Sequence, residues 1–212
     1  MVIGPFINAS AILLGGMLGA LLSQRLPERI RVSMTSIFGL ASLGIGILLV
    51  VKCANLPAMV LATLLGALIG EICLLEKGVN TAVAKAQNLF RHSRKKPAHE
   101  SFIQNYVAII VLFCASGTGI FGAMIFACSL GIAVSVISIP LLIIQLTLAW
   151  AAALILPLTT PSMMADFSAV GGLLLLATGL RICGIKMFPV VNMLPALLLA
   201  MPLSAAWTAW FA

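Results

Sequence analysis

Residues Ala123–Leu158 read AMIFACSLGIAVSVISIPLLIIQLTLAWAAALILPL, thirty-six residues without a charged side chain. As one helix this stretch would be about 54 Å long, whereas the hydrocarbon core of a bilayer is about 30 Å thick. It is therefore read as two spans. Pro140 supplies the break, because a proline inside a helix removes a backbone hydrogen bond and clashes with the preceding turn. The two spans are then Ala123–Ile139 and Leu141–Pro157.

The rest of the chain has the same character. Of its 212 residues, 62% are hydrophobic and 8% charged, and the mean hydropathy is +1.22. A water-soluble domain needs about a quarter of its residues charged, so the composition excludes a soluble enzyme and indicates an integral membrane protein. The fold class is all-α, a polytopic transmembrane helical bundle forming a single domain over 1–212. Spans one to three are Gly4–Leu22, Val32–Val51 and Pro57–Leu75, within 4–75. Spans four to six lie in 102–157. Spans seven, Phe167–Arg181, and eight, Val191–Phe211, lie in 158–212. Met1–Ala11 has no basic residue and no small-x-small cleavage signal after it, so the first span is expected to persist.

Charge placement fixes the count. With the N-terminus outside, eight spans put Arg25, Arg29, Arg31, Lys77, Lys85, Arg91, Arg94, Lys95, Lys96, Arg181 and Lys186 on the cytoplasmic side and leave Lys52 alone outside. That is the positive-inside asymmetry. Fusing Ala123–Leu158 into one span would move Arg181 and Lys186 outside. The expected location is the bacterial inner membrane, with both termini periplasmic. The formal charge of +7 is thereby explained by topology, and nucleic acid is not an expected partner.

The polar stretch 76–101 begins with Leu75, Val79, Ala82, Val83, Ala86, Leu89 and Phe90 at intervals of three and four. This spacing describes one face of a helix continuing from span three. Its basic end, Arg91, Arg94, Lys95 and Lys96, suits anionic lipid headgroups; a loop that only sets topology is the alternative.

Gly4-Pro5-Phe6-Ile7-Asn8, Gly15-Gly16-Met17-Leu18-Gly19, Gly66-Ala67-Leu68-Ile69-Gly70-Glu71, Gly117-Thr118-Gly119 and Asn192-Met193-Leu194-Pro195-Ala196 together resemble the YqgA family of bacterial inner-membrane proteins, which carry a domain of unknown function. The resemblance runs along the whole chain. It implies a location and a fold and supplies no activity. In that family a polar segment of about twenty residues separates the glycine-rich end of span four from the span holding Ala127-Cys128-Ser129-Leu130-Gly131. Here Ala123 follows Gly122 directly, although two antiparallel spans need a connecting turn. Residues are read as missing between 122 and 123, through a gap or a genuine deletion.

An internal echo suggests how the spans are arranged. Pro27 with Phe38-Gly39-Leu40 precedes span two as Pro157 with Phe167 and Gly171-Gly172 precedes span seven. Asn55-Leu56-Pro57-Ala58 opens span three as Asn192-Met193-Leu194-Pro195-Ala196 opens span eight. With eight spans these partners run in opposite directions, so spans one to three and six to eight form a candidate inverted 3+3 repeat around two central spans. Many transporters use this plan.

Glu71 is the carboxylate placed within a span. Thr63, Gly66, Ala67, Gly70 and Glu71 fall within about 140° of one helix face, a small and polar face suited to close approach or a water path. An acid at that depth costs about 2.5–3.5 kcal/mol on insertion scales. It either handles an ion or proton or reaches the interface and pairs with Lys77 or Arg31. Asn8, Gln104, Asn105 and Gln145 are polar residues in or near spans, whose common use is interhelical hydrogen bonding. The Gly117-Thr118-Gly119 turn would expose carbonyls to an ion if buried in protein; a plain span end is the alternative. The ion or solute pathway is thus assigned to Glu71, Asn8, Asn192, Thr63, Gln145, Gly117, Thr118 and Gly119. Gly15, Gly19, Gly66 and Gly70 are assigned to helix packing, which also suits a homo-oligomer. Asp166 is read as the N-cap of span seven.

Cys53, Cys73, Cys114, Cys128 and Cys183 lack C-x-x-C spacing, and His92 and His99 lack metal-ligand spacing. No metal, cofactor or catalytic constellation is expected. Two functions follow from these readings: an oligomeric transporter or channel for a small ion or solute, and a non-transporting membrane scaffold or partner-binding protein.

Overall fold

The computed structural model describes residues 3–23, 25, 27–79, 81, 123, 125, 127, 133–136, 138–155 and 159–211. Every regular element among them is helical. In chain order these are α1 (Gly4–Ser23), α2 (Glu28–Val51), α3 (Leu56–Ile72), α4 (Ala133–Val136), α5 (Ser138–Ile155), α6 (Pro161–Ile182), a 3₁₀ turn (Val190–Met193) and α7 (Pro195–Phe211). Four stretches are long and apolar enough to cross a membrane: Gly4–Leu22, Glu28–Val51, Pro161–Ile182 and Val190–Phe211. Leu56–Ile72 is a shorter apolar helix.

Prolines mark several starts, as expected where the missing N–H has no intrahelical partner. Pro57 lies in the first turn of α3 and Pro161 in that of α6, and Pro140 lies in the first turn of α5. Pro140, expected to separate two spans, therefore stands inside a described helix, and position 137 ahead of it lies outside the described residues.

The chain divides into two compact units, Met1–Ala41 with Ile110–Leu158 and Ser42–Ile109 with Thr159–Ala212. In the first, α1 packs on α4 and α5 around Ile12, Val134 and Leu141, all fully buried. A Cβ at Gly16 would overlap Ser135 of α4. Gly15 and Gly19 are buried on the same helix.

The second unit holds the end of α2 with α3, α6 and α7. Here α3 and α7 run antiparallel and almost touch. A Cβ at Gly66 would overlap the backbone of Ala196, and one at Gly70 would overlap the carbonyl of Asn192. Four-residue spacing puts Ala58, Ala62, Gly66 and Gly70 on one face of α3, and Ala196, Ala200 and Ser204 on one face of α7. All seven are buried. With side chains this small the backbones close to a distance that any larger residue would forbid. Met59, Ala169 and Val170 complete the core. Gly46 and Gly172 make a similar approach between α2 and α6, each glycine's would-be Cβ 2.8 Å from the other's carbonyl oxygen.

Two expectations about helix ends are corrected. Span seven was expected to begin at Phe167 with Asp166 as its N-cap. Instead Thr160 is the cap, its hydroxyl accepting the Met163 N–H at 3.3 Å, and α6 starts at Pro161. The helix expected to continue from span three also stops: α3 ends at Ile72, Leu74 adopts a left-handed φ of 50°, and a helical stretch restarts over 75–79. The rest of the expected amphipathic helix lies outside the described residues.

Candidate functional site

Two polar clusters sit at opposite ends of the second unit. Asn55 at the start of α3 and Glu71 in its last turn are sixteen residues apart, about 24 Å along the helix.

The first cluster is built on Asp166. Its position in the second turn of α6 turns the carboxylate inward, and the residue is fully buried. Oδ1 accepts the backbone N–H of Ala54 at 2.9 Å and of Asn55 at 2.8 Å, with the Cys53 thiol at 3.3 Å. Oδ2 accepts Asn55 Nδ2 at 3.1 Å and the Ser204 hydroxyl at 2.6 Å. The carboxylate thus ties the α2–α3 link to both α6 and α7. Asn55 Nδ2 also lies 3.5 Å from Thr208 Oγ1 in the last turn of α7. Burial, followed by the hydrogen bond to Asp166 and its negative charge, pushes the Cys53 thiol up to about 11. Bonds from several donors are what a buried carboxylate needs, since leaving it unsatisfied is costly.

The second cluster is built on Asn192 of the 3₁₀ turn. Its Nδ2 donates to Glu71 Oε2, and its Oδ1 accepts the backbone N–H of Glu76 at 2.8 Å. One amide therefore bridges the left-handed joint at Leu74, gripping the helix before it and the helical stretch after it. Arg181, in the last turn of α6 and buried, donates through one nitrogen to Glu76 Oε1 at 3.0 Å and to the Phe188 carbonyl at 2.9 Å. The α6 end closes with Gly184 at a φ of 71°, its N–H bonded to the Arg181 carbonyl at 3.1 Å and that of Ile185 to the Leu180 carbonyl at 3.0 Å. Glycine suits that left-handed position. At the end of α3 the same position is Leu74.

The structure thus joins two of the residues assigned to a pathway, Glu71 and Asn192, and places Glu71 on the exposed surface at the end of α3. Its hydrogen-bond partner is Asn192, while the ion pair at this end joins Glu76 and Arg181. Thr63 lies in the middle of α3 and donates to the Met59 carbonyl of its own helix at 2.8 Å. Asn8 on α1 and Gln145 on α5 belong to the first unit. Gln145 Oε1 is buried without a hydrogen-bond partner. Gly117, Thr118, Gly119 and the basic residues Arg91, Arg94, Lys95 and Lys96 lie outside the described residues, as does the Gly122 side of the Gly122–Ala123 junction.

Sequence reasoning missed Asp166 as a buried hub and Arg181 as a buried cation. The available signal was Thr160-Pro161, a capping residue followed by a proline suited to the first helical position. It would have moved the start of α6 back and put Asp166 on the face that also carries Val170 and Leu174.

Comparison with known proteins bears out the family resemblance of the sequence. It is 89% identical to the "Uncharacterized protein YqgA" of Escherichia coli (strain K12), an alignment of 235 positions covering 100% of both chains. Since the chain has 212 residues, that relative carries residues with no counterpart here. No solved structure matches. Residues 3–125 and 121–205 match the family described as "Protein of unknown function (DUF554)". The two matches meet around Gly122–Ala123, where a connecting turn was expected. With both stretches matched and a relative this similar, the chain belongs to the DUF554 family.

Proposed function

We propose that this chain is an eight-span protein of the bacterial inner membrane, with both termini periplasmic, and that it works as an oligomeric transporter or channel for a small ion or solute. The span count is supported by the parallel course of α3 and α6. Asn55 and Asp166 meet near the starts of these helices, and Glu76 and Arg181 meet near their ends. A chain that leaves α3 on one side of a membrane and begins α6 on the other must cross an odd number of times between them. Three spans within 102–157 satisfy this, while fusing Ala123–Leu158 into one would leave two.

The observation that carries the transport reading is the pairing of α3 with α7. Each is preceded by an asparagine close to a Pro-Ala start, and each asparagine reaches a polar side chain in the last turn of the other helix: Asn55 to Thr208 and Asn192 to Glu71. This is the relation expected of two halves inserted in opposite orientations, a plan that in transporters places ion and solute sites between the repeats. The test is a flux screen with purified protein in vesicles, comparing the wild type with Glu71→Gln. Flux of an ion or solute above that of empty vesicles supports the reading. Its loss in Glu71→Gln supports a pathway at Glu71; unchanged flux in that variant removes Glu71 from the mechanism.

A non-transporting scaffold is the second reading, favoured by the hydrogen bonds that engage both oxygens of Asp166 and by the closely packed α3–α7 seam. It would leave the wild-type vesicles no leakier than empty ones to every ion and solute screened.

A further inference from the structure

At the end of the second unit where α3 and α6 stop, both chains turn sharply, at Cys73-Leu74 and at Cys183-Gly184. Bulky apolar side chains stand outward there: Ile185 is 68% exposed, Met187 55% and Ile72 72%. Lys77 and Lys186 are exposed among them. Lys186 does not lie free along the chain; its ammonium sits 5.5 Å from the centroid of the Phe188 ring. Glu76 is paired with Arg181, and Glu71 is held by the neutral amide of Asn192. Among the described residues of this end, Arg181, Lys77 and Lys186 outnumber Glu71 and Glu76, so its formal charge is positive, with Lys186 the cation on the outward turn. Isoleucine and methionine flanking a lysine on a five-residue turn fit poorly in water. They fit the headgroup boundary of a bilayer, where apolar tips enter the acyl region and an ammonium meets phosphate.

We infer that the turn 184–188 dips into the cytoplasmic leaflet, with Ile185 and Met187 as its apolar tips and Lys186 bound to the phosphate of an anionic lipid. This rests on the membrane topology proposed above. It adds a lipid contact distinct from the basic run at 91–96. The clamp of Arg181 on Glu76 and on the Phe188 carbonyl would hold the turn at a fixed depth.

The test uses the full chain with its five native cysteines replaced, spin-labelled in turn at position 187 and at position 198. Leu198 is 79% exposed in the early part of α7, and serves as the reference for the membrane itself. Labels are read for collisions with oxygen and with a water-soluble nickel complex in vesicles of phosphatidylcholine, with and without phosphatidylglycerol. The inference predicts that label 198 lies in the hydrocarbon in both lipids. Label 187 is predicted at the headgroup boundary in the anionic vesicles. Lys186→Ala should lower its ratio of immersed to aqueous signal about fivefold, the factor that one lysine near an anionic surface supplies. A label at 187 as open to nickel as a free aqueous loop, with 198 still in lipid, overturns the anchor and leaves the topology standing. Immersion of 187 that ignores both phosphatidylglycerol and Lys186→Ala overturns the phosphate contact. An aqueous label at 198 overturns the membrane reading beneath both.

Discussion

Removing the Asp166 carboxylate tests the hub directly, and its cost can be worked from the contacts. In Asp166→Ala the Ser204 hydroxyl can turn to a carbonyl of its own helix, and the Cys53 thiol is a weak donor. The backbone N–H groups of Ala54 and Asn55 and the Asn55 amide lose the acceptor they have in the native protein. Each buried donor left unsatisfied costs about 1–3 kcal/mol. Because Ala54 is exposed, Asn55 half-buried and Asn55 Nδ2 keeps Thr208 Oγ1 at 3.5 Å, these donors are only partly stranded and the loss is about 2–4 kcal/mol, or on the order of 10 °C in Tm for a chain of this length. Asp166→Asn keeps one oxygen for the two backbone donors but loses the charge and turns an amide toward Asn55 Nδ2. Its cost should be smaller, about 1.5–3 kcal/mol. The assay is unfolding of the purified protein in mixed micelles, by denaturing-detergent titration for the free energy and by circular dichroism for Tm. Asp166→Ala within about 1 kcal/mol of wild type would refute the hub. Asp166→Asn more stable than wild type would refute it differently, because the charge would then be retained at a cost in stability, as at a functional position.

The remaining predictions use the same unfolding assay or a simple chemical probe. Gly70→Ala puts a methyl group into the Asn192 carbonyl and should cost about 1–3 kcal/mol, whereas Gly4→Ala, with nothing within 4 Å, should be near neutral or slightly stabilising. Leu74→Gly relieves a left-handed leucine and should stabilise by about 1 kcal/mol; a loss of stability would mean that the leucine side chain contributes more than its backbone costs. The Cys53 thiol, raised from 9.0 to about 11, should alkylate at pH 8 about a hundredfold more slowly than a thiol at 9.0, because the thiolate is the nucleophile. The rate should climb roughly tenfold per pH unit until the pH nears 11. Fast labelling of Cys53 itself at pH 8 in the folded protein would contradict the raised thiol, whose first cause is burial and whose second is Asp166.

How far the sequence could be read depended on the kind of signal involved. The helical class follows from composition, and the start beside Pro57 follows from what a proline ring permits, whereas the start at Pro161 was read as a link and the helix begun at Phe167. Gly66 and Gly70 were legible as a packing face because four-residue spacing is a property of any helix. Glu71 was selected as an acid within a span and Asn192 through the internal echo at the start of span eight, and the structure brings them together, though at a helix end. Asp166 was misplaced because an aspartate before an apolar run also looks like a cap, and only the fold reveals that the α2–α3 link presents two backbone N–H groups to it. The stop at Leu74 had no local signal, since leucine rarely takes a left-handed φ. It is held by Asn192, more than a hundred residues away in sequence. Arg181 looked like a topology-setting charge at a span end; its burial depends on Glu76 and the Phe188 carbonyl arriving from two other segments.

The central claim is the eight-span course with α3 and α6 parallel across the membrane, and reporter fusions in bacterial cells test it most directly. Alkaline phosphatase, active in the periplasm, and green fluorescent protein, fluorescent in the cytoplasm, would be placed after Ala54, within 76–101, after Thr159, after Lys186 and after Ala212. The account predicts phosphatase activity at 54, 159 and 212 and fluorescence at 76–101 and 186. Fluorescence at 159 and 212 together with phosphatase activity at 186 would mean an even number of crossings between α3 and α6, and would contradict it.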